Sequence, residues 1–310
     1  MSQMRLDGLH HITMITADAQ SNVAFYGETL GLRLVKKTVN FDSPESYHLC
    51  FGDEAGSPGS ILTWFEFPGA PGGRAGAGMI HTIELGAASP DALDFWAQRL
   101  APAGAHGTDD RVLVRDPDGL ALELVVAGPG GPALTARHPE IDPRYALVGP
   151  QAVRAYATQP DAELSLLLET LGFELVAVGD HAIAGEFRRF RLRYEPAPAE
   201  PGVQGAGTVH HIAWACADEE QLQWQRLLRD AGALVTDVRD RDYFRSIYFR
   251  EPHGLLFEIA TQSPGFAVDE DPDHLGEQLR LPRMHEHLRP ELERRLVALH
   301  NPRARWERVR

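Results

Sequence analysis

Several features that would define a class of protein are scarce or missing in this sequence. Its 310 residues include only two cysteines, Cys50 and Cys216, and both lie in apolar stretches. We therefore expect buried free thiols and no disulfide framework. No apolar run approaches the roughly 20 residues that a membrane-spanning helix needs. The first residues also lack the apolar core of a signal peptide, so we predict a soluble, cytoplasmic protein.

Positive charge is also in short supply. The chain has 30 Lys and Arg residues against 44 Asp and Glu residues, which gives a formal net charge of -14. This balance argues against nonspecific binding to nucleic acid or to anionic membranes, so we expect neither as a partner. Apolar residues make up 43% of the chain, enough for sizeable cores, and the length fits about two domains.

The chain contains four similar units. Each unit opens with a short alternating strand, continues with an amphipathic helix, and ends with strands interrupted by Gly, Pro and Asp. The units open near Leu9, Met79, Ala152 and Val209. This βαβββ pattern predicts an α+β fold. The predicted helices cover residues 19–29, 90–101, 162–171 and 219–231, with one more at 290–299 in a polar tail.

Two segments rich in Gly and Pro, residues 128–132 and 196–202, separate units two, three and four. We predict two domains of two units each, residues 1–130 and 140–265, followed by a C-terminal tail at 266–310. A single βαβββ unit cannot bury its own sheet face. Pairs of units should therefore close around a shared concavity.

Units one and four each open with a histidine pair, His10-His11 and His210-His211. Unit four ends in a strand that carries Glu258, four residues after the glycine of a Glu-Pro-His-Gly turn. Two histidines and one carboxylate are the ligands of the facial triad that holds catalytic non-heme Fe(II). If His11, His211 and Glu258 converge, an oxygen-using enzyme is the natural interpretation.

Four segments resemble the vicinal-oxygen-chelate superfamily of glyoxalases, fosfomycin-resistance proteins and extradiol dioxygenases, and within it the ring-cleaving dioxygenases of hydroquinones. The resemblance spans nearly the whole chain and implies two glyoxalase-like domains. The segments are Leu9-His10-His11-Ile12-Thr13, residues 47–59, Val209-His210-His211-Ile212-Ala213-Trp214, and residues 240–249 together with Phe257-Glu258.

The resemblance implies that His11, His211 and Glu258 hold the iron. Units one and four would then face each other, leaving units two and three to pair. It also implies that five residues lie near the substrate: His10, Thr13, His210, Arg241 and Tyr248. We take Thr13 as substrate-binding and the other four as catalytic.

The chemistry agrees with this ligand set, because three ligands on one side of the iron leave the other side open for a phenolate and O2. A neighbouring histidine can accept the hydroxyl proton. His10 and His210 should point to the opposite sheet face, however, unless their strands twist or bulge. Arg241 or Tyr248 can hydrogen bond a developing oxyanion. We therefore predict an Fe(II)-dependent ring-cleaving dioxygenase of a hydroquinone or catechol-like aromatic, with O2 as co-substrate.

Two other functions remain open. A metal-dependent isomerase or lyase of the glyoxalase type would normally have four protein ligands, but Thr63 stands where unit one would supply the fourth. A noncatalytic binding protein would not need three aligned ligands. Mn(II) accepts the same ligands as Fe(II). The sequence also leaves open the ring substituents and a homodimer formed through exposed strand edges.

Unit two carries His81 and Glu123, which we interpret as part of a vestigial, empty metal site. The third position of that site would fall near Gln151. Two ligands and an amide would make a poor iron site.

Overall fold

The computed structural model describes residues 4–128, 133–185 and 189–306. Each of the four predicted units contributes four strands, which confirms the repeat and the α+β class. In chain order, the strands are β1 (Leu9–Thr16), β2 (Arg33–Val39), β3 (Tyr47–Gly52), β4 (Ile61–Glu66), β5 (Met79–Ala87), β6 (His106–Gly107), β7 (Arg111–Arg115), β8 (Ala121–Val126), β9 (Pro150–Ala157), β10 (Glu174–Ala177), β11 (Asp180–Ala184), β12 (Arg189–Pro196), β13 (Val209–Cys216), β14 (Arg239–Asp240), β15 (Arg245–Arg250) and β16 (Leu256–Thr261).

A helix follows the first strand of units one, two and four. Asp18 caps the first of these helices by accepting hydrogen bonds from the backbone N–H groups of Gln20 and Ser21. Unit three has only one turn with i to i+5 hydrogen bonds, Leu166–Thr170, so the longer helix predicted at 162–171 is wrong in extent. The α-helices are α1 (Ala19–Val23), which continues as a π-helix over Ala24–Thr29, α2 (Pro90–Leu100), α3 (Gln221–Asp230), α4 (Arg289–Arg295) and α5 (Arg303–Trp306).

The tail helix also differs from its prediction. It begins at Arg289 and ends at Arg295, whereas the predicted helix covered residues 290–299. It stops because Leu296 adopts an extended conformation and packs beside a small apolar cluster that includes Val39 and Leu292. The end of the helix therefore coincides with partial burial of Leu296 against this cluster.

The strands form two eight-stranded sheets. The first sheet has the order β14-β15-β16-β13-β1-β4-β3-β2, and the second has the order β10-β11-β12-β9-β5-β8-β7-β6. Units one and four therefore share one sheet, and units two and three share the other, as predicted. Each sheet takes one unit from each half of the chain, so the division into domains at 1–130 and 140–265 stays a prediction.

The first sheet curls until its two edges approach each other. Arg241 follows edge strand β14, and its Nη2 lies 3.5 Å from Oδ2 of Asp42, which follows edge strand β2. The central strands β13 and β1 therefore lie across the cavity from these edges. On β1, Ile12 and Met14 join the apolar core, while the alternate residues His11 and Thr13 line the cavity.

Matching turns connect the last two strands of units two and four. In each turn a buried carboxylate accepts the backbone N–H of the residue four positions later, at 2.8 Å for Asp116 with Leu120 and for Glu251 with Leu255. Gly119 has φ 91° and so lies in the left-handed region that favours glycine. These turns fix where the following strand starts, and hence where Glu258 falls.

The tail wraps over unit one and closes one side of the cavity. The buried ammonium of Lys36 contacts Oδ1 of Asp269 at 2.7 Å and also forms an ion pair with Glu270. Phe266 from the same segment lines the cavity. Among the described residues, no helix combines the length and the apolar character that crossing a membrane requires.

Candidate metal centre

His11, His211 and Glu258 converge in the first sheet, and we call them the triad. One ligand atom from each lies within 4.8 Å of the other two. Nε2 of His211 is 2.9 Å from Oε2 of Glu258, and Nε2 of His11 is 3.5 Å from the same oxygen. The two Nε2 atoms are 3.2 Å apart. All three side chains are buried, with at most 5% of their surface exposed.

The donor set of the triad fits a divalent metal ion. Oε2 of Glu258 is buried, and among the described residues no contact to it, including the 2.9 Å approach of Nε2 of His211, has hydrogen-bond geometry, although buried carboxylate oxygens normally have donors. Oε1 of the same carboxylate accepts a hydrogen bond from the hydroxyl of Ser246. Although burial favours the protonated form, the facing His11 and His211 hold the pKa of Glu258 well below its ordinary value. Two imidazole nitrogens and one free carboxylate oxygen therefore face a common point.

His10 and His210 lie beside the triad but do not line the cavity. Both are bulge residues, since the pairing of β1 with β13 skips His10 and His210. Nδ1 of His10 is 2.8 Å from Nδ1 of His11, and Nδ1 of His210 is likewise 2.8 Å from Nδ1 of His211. A metal ion bound by Nε2 of each triad histidine would leave its Nδ1–H to donate to the neighbouring histidine. The bulges thus bring both rings of each pair into contact, an arrangement that orients metal ligands.

Burial, followed by the charge of the adjacent triad histidine, lowers the pKa of His10 to about 3 and that of His210 to about 4. Burial also lowers the pKa of His211. These imidazoles are therefore neutral near pH 7, which is the form that coordinates metals and accepts hydrogen bonds.

Two threonine hydroxyls border the triad where a fourth ligand would stand. Oγ1 of Thr13 is 2.9 Å from Nε2 of His211 and 2.9 Å from Oγ1 of Thr63. The register pairs Thr13 with Thr63 on β1 and β4, as it pairs Ala213 with Glu258 on β13 and β16. Thr63, which follows Gly59 by four residues as Glu258 follows Gly254, therefore occupies the position in unit one that Glu258 occupies in unit four, as predicted.

The triad lies in a cavity whose empty space is about 550 Å³, including the part open to solvent. Of the predicted site residues, Thr13, Arg241 and Tyr248 line it with the triad. The guanidinium of Arg241 is 5.7 Å from the ring centre of Tyr248 and 5.3 Å from that of Phe41. The remaining lining residues are Thr38, Asn40, Phe41, Asp42, His48, Cys50, Ile61, Thr63, Phe65, Tyr243, Phe244 and Phe266.

His48 is the main site residue that the sequence prediction missed. Its Nε2 is 3.1 Å from Oγ1 of Thr63, and burial, followed by the nearby His11 and His211, lowers its pKa to about 3. Alternation along β3 could have placed His48 on the cavity face, since His48 pairs with Phe65 and Cys50 with Thr63 on β4.

The second sheet does not repeat the triad. Glu123 corresponds to Glu258, because Glu123 pairs with Glu84 as Glu258 pairs with Ala213. The same register places Thr82 at the position of His211 and Ala152 at the position of His11. Our assignment of His81 and Gln151 to these positions was therefore wrong by one residue, because both lie at bulges of the kind that hold His10 and His210. His81 instead stacks on the ring of Tyr156, with 3.9 Å between ring centres.

The first sheet is built from paired βαβββ units and holds a buried His-His-Glu cluster in its concavity. Together these two features define a class of metal-binding proteins. A family model described as Glyoxalase/Bleomycin resistance protein/Dioxygenase superfamily matches residues 8–124 and 150–259. The chain belongs to this superfamily, and the relatives that it resembles over nearly its full length make it an enzyme of the oxygenase type.

Three similar proteins illustrate this relationship. MhqO of Bacillus subtilis, a candidate ring-cleaving dioxygenase, is 42% identical over 94% of this chain and 96% of its own length. The chlorohydroquinone/hydroquinone 1,2-dioxygenase of Sphingobium indicum is 31% identical over 94% of this chain and 96% of its own. A crystal structure of a candidate dioxygenase from Bacillus subtilis superposes with a TM-score of 0.88 at 40% identity and covers 96% of this chain and 99% of that one.

Proposed function

We propose that this enzyme is an Fe(II)-dependent dioxygenase that cleaves the ring of a hydroquinone or catechol-like aromatic, with His11, His211 and Glu258 as the iron ligands. The observation that carries the proposal is the buried triad, in which a free carboxylate oxygen faces two imidazole nitrogens. The names of the relatives support ring cleavage, and one of them is named for hydroquinone.

Iron bound at the triad would supply a site where a phenolate and O2 are held side by side and exchange electrons. Three protein ligands favour this chemistry, because Thr13 and Thr63 offer hydroxyls and no further anionic ligand on the open side. Two neutral imidazoles and one carboxylate leave a net charge of about +1 with a divalent ion, which attracts an anionic phenolate. Mn(II) fits the same donors and is the alternative metal.

The cavity would bind a flat ring between aromatic side chains. Phe65 and Phe244 flank the triad, with ring centres 6.3 Å from His211 and 5.3 Å from His11 respectively. These apolar faces would exclude water and hold the ring by dispersion and stacking.

We propose that His48 accepts a hydrogen bond from the substrate's hydroxyl. This imidazole lines the cavity and is neutral near pH 7, whereas His10 and His210 are turned toward the Nδ1 atoms of the ligands. We therefore propose that His10 and His210 orient the ligands, and that Thr13 contacts the substrate. Arg241 and Tyr248 would stabilise negative charge that develops on the substrate oxygens.

Oxygen uptake after anaerobic loading with Fe(II) tests the proposal. We expect uptake with hydroquinone or catechol, and we expect His211→Ala to lower it at least 1,000-fold because a ligand is lost. His81→Ala is the matched control, since His81 lies in the second sheet and should leave uptake unchanged. Loading with Mn(II) in parallel identifies the active metal. Turnover of a hemithioacetal with Ni(II) or Zn(II), without oxygen uptake, would instead point to a glyoxalase-type isomerase.

A further inference from the structure

Thr38 presents a buried hydroxyl that has no hydrogen-bond partner among the described residues. It lies on β2 with 1% of its surface exposed, and it lines the cavity that holds the triad. No described residue hydrogen bonds to its Oγ1. The other two threonines of the cavity differ, because Thr13 and Thr63 hydrogen bond to each other.

The strand register places Thr38 on the wall across from the triad. Thr38 pairs with His48 on β3, and His48 pairs with Phe65 on β4. All three line the cavity, so they share the concave face of the sheet. The sheet curls until the end of β2 meets the loop after β14, which brings β2 opposite the central strands that carry His11 and His211.

A comparison of the buried polar atoms in this cavity distinguishes Thr38 from its neighbours. Among the described lining residues, two side chains have a buried oxygen without a hydrogen bond, Glu258 at Oε2 and Thr38 at Oγ1. A metal ion held by the triad would bind Oε2 of Glu258. Burying a hydroxyl without a hydrogen-bond partner is unfavourable, so the position of Oγ1 of Thr38 requires an explanation. Thr38 faces the volume in which the substrate would bind.

We propose that Thr38 determines substrate specificity by hydrogen bonding the ring hydroxyl that the metal does not hold. This inference rests on the proposed function. A hydroquinone carries its two hydroxyls at opposite ends of the ring, so one would reach the triad while the other faces β2. Catechol carries adjacent hydroxyls, which would both lie near the triad and leave Thr38 without a partner.

Anaerobic binding to the Fe(II)-loaded enzyme, measured by titration calorimetry with hydroquinone, catechol and phenol, tests this role. Thr38→Val keeps the branched shape and removes the hydroxyl. We expect it to weaken hydroquinone binding about 10-fold, the effect of one lost hydrogen bond in a buried site. Binding of catechol and phenol should change less than about 2-fold. Thr38→Ser restores the hydroxyl and should bind hydroquinone within about 3-fold of the unsubstituted enzyme.

The thermal midpoint of the metal-free protein gives a second measurement that does not depend on activity. Thr38→Val should keep or raise this midpoint, because it removes a buried hydroxyl that lacks a partner. A lowered midpoint would mean that the hydroxyl serves the fold, and it would overturn the role in specificity.

Further outcomes separate this inference from the proposed function. Equal weakening of all three ligands by Thr38→Val, or no weakening of hydroquinone in an enzyme that consumes oxygen with it, overturns the role of Thr38 alone. If the unsubstituted enzyme neither binds these aromatics nor consumes oxygen with them, both the role and the proposed function are wrong.

Discussion

Arg154 forms an ion pair with Glu123 at the place in the second sheet that corresponds to the triad in the first. The register equates Glu123 with Glu258 and Arg154 with Thr13. A guanidinium therefore supplies the positive charge next to this carboxylate, and Arg111 adds a second contact at 2.8 Å. The two sheets thus place corresponding buried carboxylates in two different electrostatic environments.

This relationship predicts one metal ion per chain. Metal analysis of the reconstituted protein should give a ratio near one, and Glu258→Gln should lower it to near zero. The matched variant Glu123→Gln should keep the metal but reduce the free energy of unfolding by about 2 kcal/mol. It removes the buried carboxylate that Arg111 and Arg154 share, while Asp110 and Glu195 stay in contact with them. A ratio near two, or loss of metal in Glu123→Gln, would contradict the assignment of the second sheet.

His10 gives a prediction that separates ligand orientation from proton transfer. His10→Phe keeps a ring against Phe244 but removes the Nδ1 that contacts His11. We expect metal affinity to fall about 10- to 100-fold, as for other partners of metal-bound histidines, with kcat per bound metal nearly unchanged. Competition with a chelator measures the affinity.

His81→Phe is the matched control for this experiment, because His81 is a bulge histidine of the second sheet. It should change neither the metal affinity nor kcat. A fall of about 100-fold or more in kcat for His10→Phe at full metal occupancy would instead assign proton transfer to His10.

Asp242 gives a prediction about the loop that carries Arg241, Tyr243 and Phe244 into the cavity. Its φ of 61° makes it the one non-glycine residue in the described ranges with a positive φ, and its carboxylate accepts hydrogen bonds from the backbone and side chain of Arg283. Asp242→Ala should raise KM for the aromatic substrate several-fold, because alanine disfavours this conformation by about 1 kcal/mol.

Two further variants separate the backbone conformation from the ion pair. Asp242→Asn tolerates the left-handed region and should keep KM within about 2-fold. Arg283→Ala removes an exposed ion pair, of a kind that contributes less than about 1 kcal/mol, and should also change KM little. Steady-state kinetics on all three variants checks the prediction, and a large effect of Arg283→Ala would show that the ion pair controls the loop.

Asp116 predicts a pH dependence of stability. Burial raises its pKa to about 6 from the ordinary 3.8, although the N–H of Leu120 and the hydroxyl of Tyr26 oppose the shift. Between these two values the folded chain binds more protons than the unfolded chain, so this residue lowers stability as pH rises from about 4 to 6. The full effect is about 3 kcal/mol.

Asp116→Asn should remove this contribution, since asparagine does not titrate and its side-chain oxygen can still accept the N–H of Leu120. Urea unfolding at pH 4.5 and pH 7 should therefore show a smaller loss of stability on raising the pH in Asp116→Asn than in the unsubstituted chain. An equal change in both proteins would mean that Asp116 ionises normally in the folded state.

The sequence by itself determined the repeat and the matching positions on the last strand of units one, two and four. Turn glycines such as Gly119 and Gly254 and the alternation of apolar residues act locally. Counting from them was enough to place Thr63 and Glu258 at matching positions, whereas the pairing of units one and four followed from the family resemblance.

The tertiary structure decided which side chains surround the triad. The bulges at His10 and His210 arise from the pairing of β1 with β13, and that pairing joins residues 200 positions apart. Alternation can assign His48 and Thr38 to a sheet face, but the two side chains reach the cavity because the sheet curls. The pairing of Arg154 with Glu123 likewise depends on two strands from different units. Alternation along one strand determines which face of the sheet each side chain points to. Bulges, sheet curvature and ion pairs instead depend on contacts between strands that are distant in sequence.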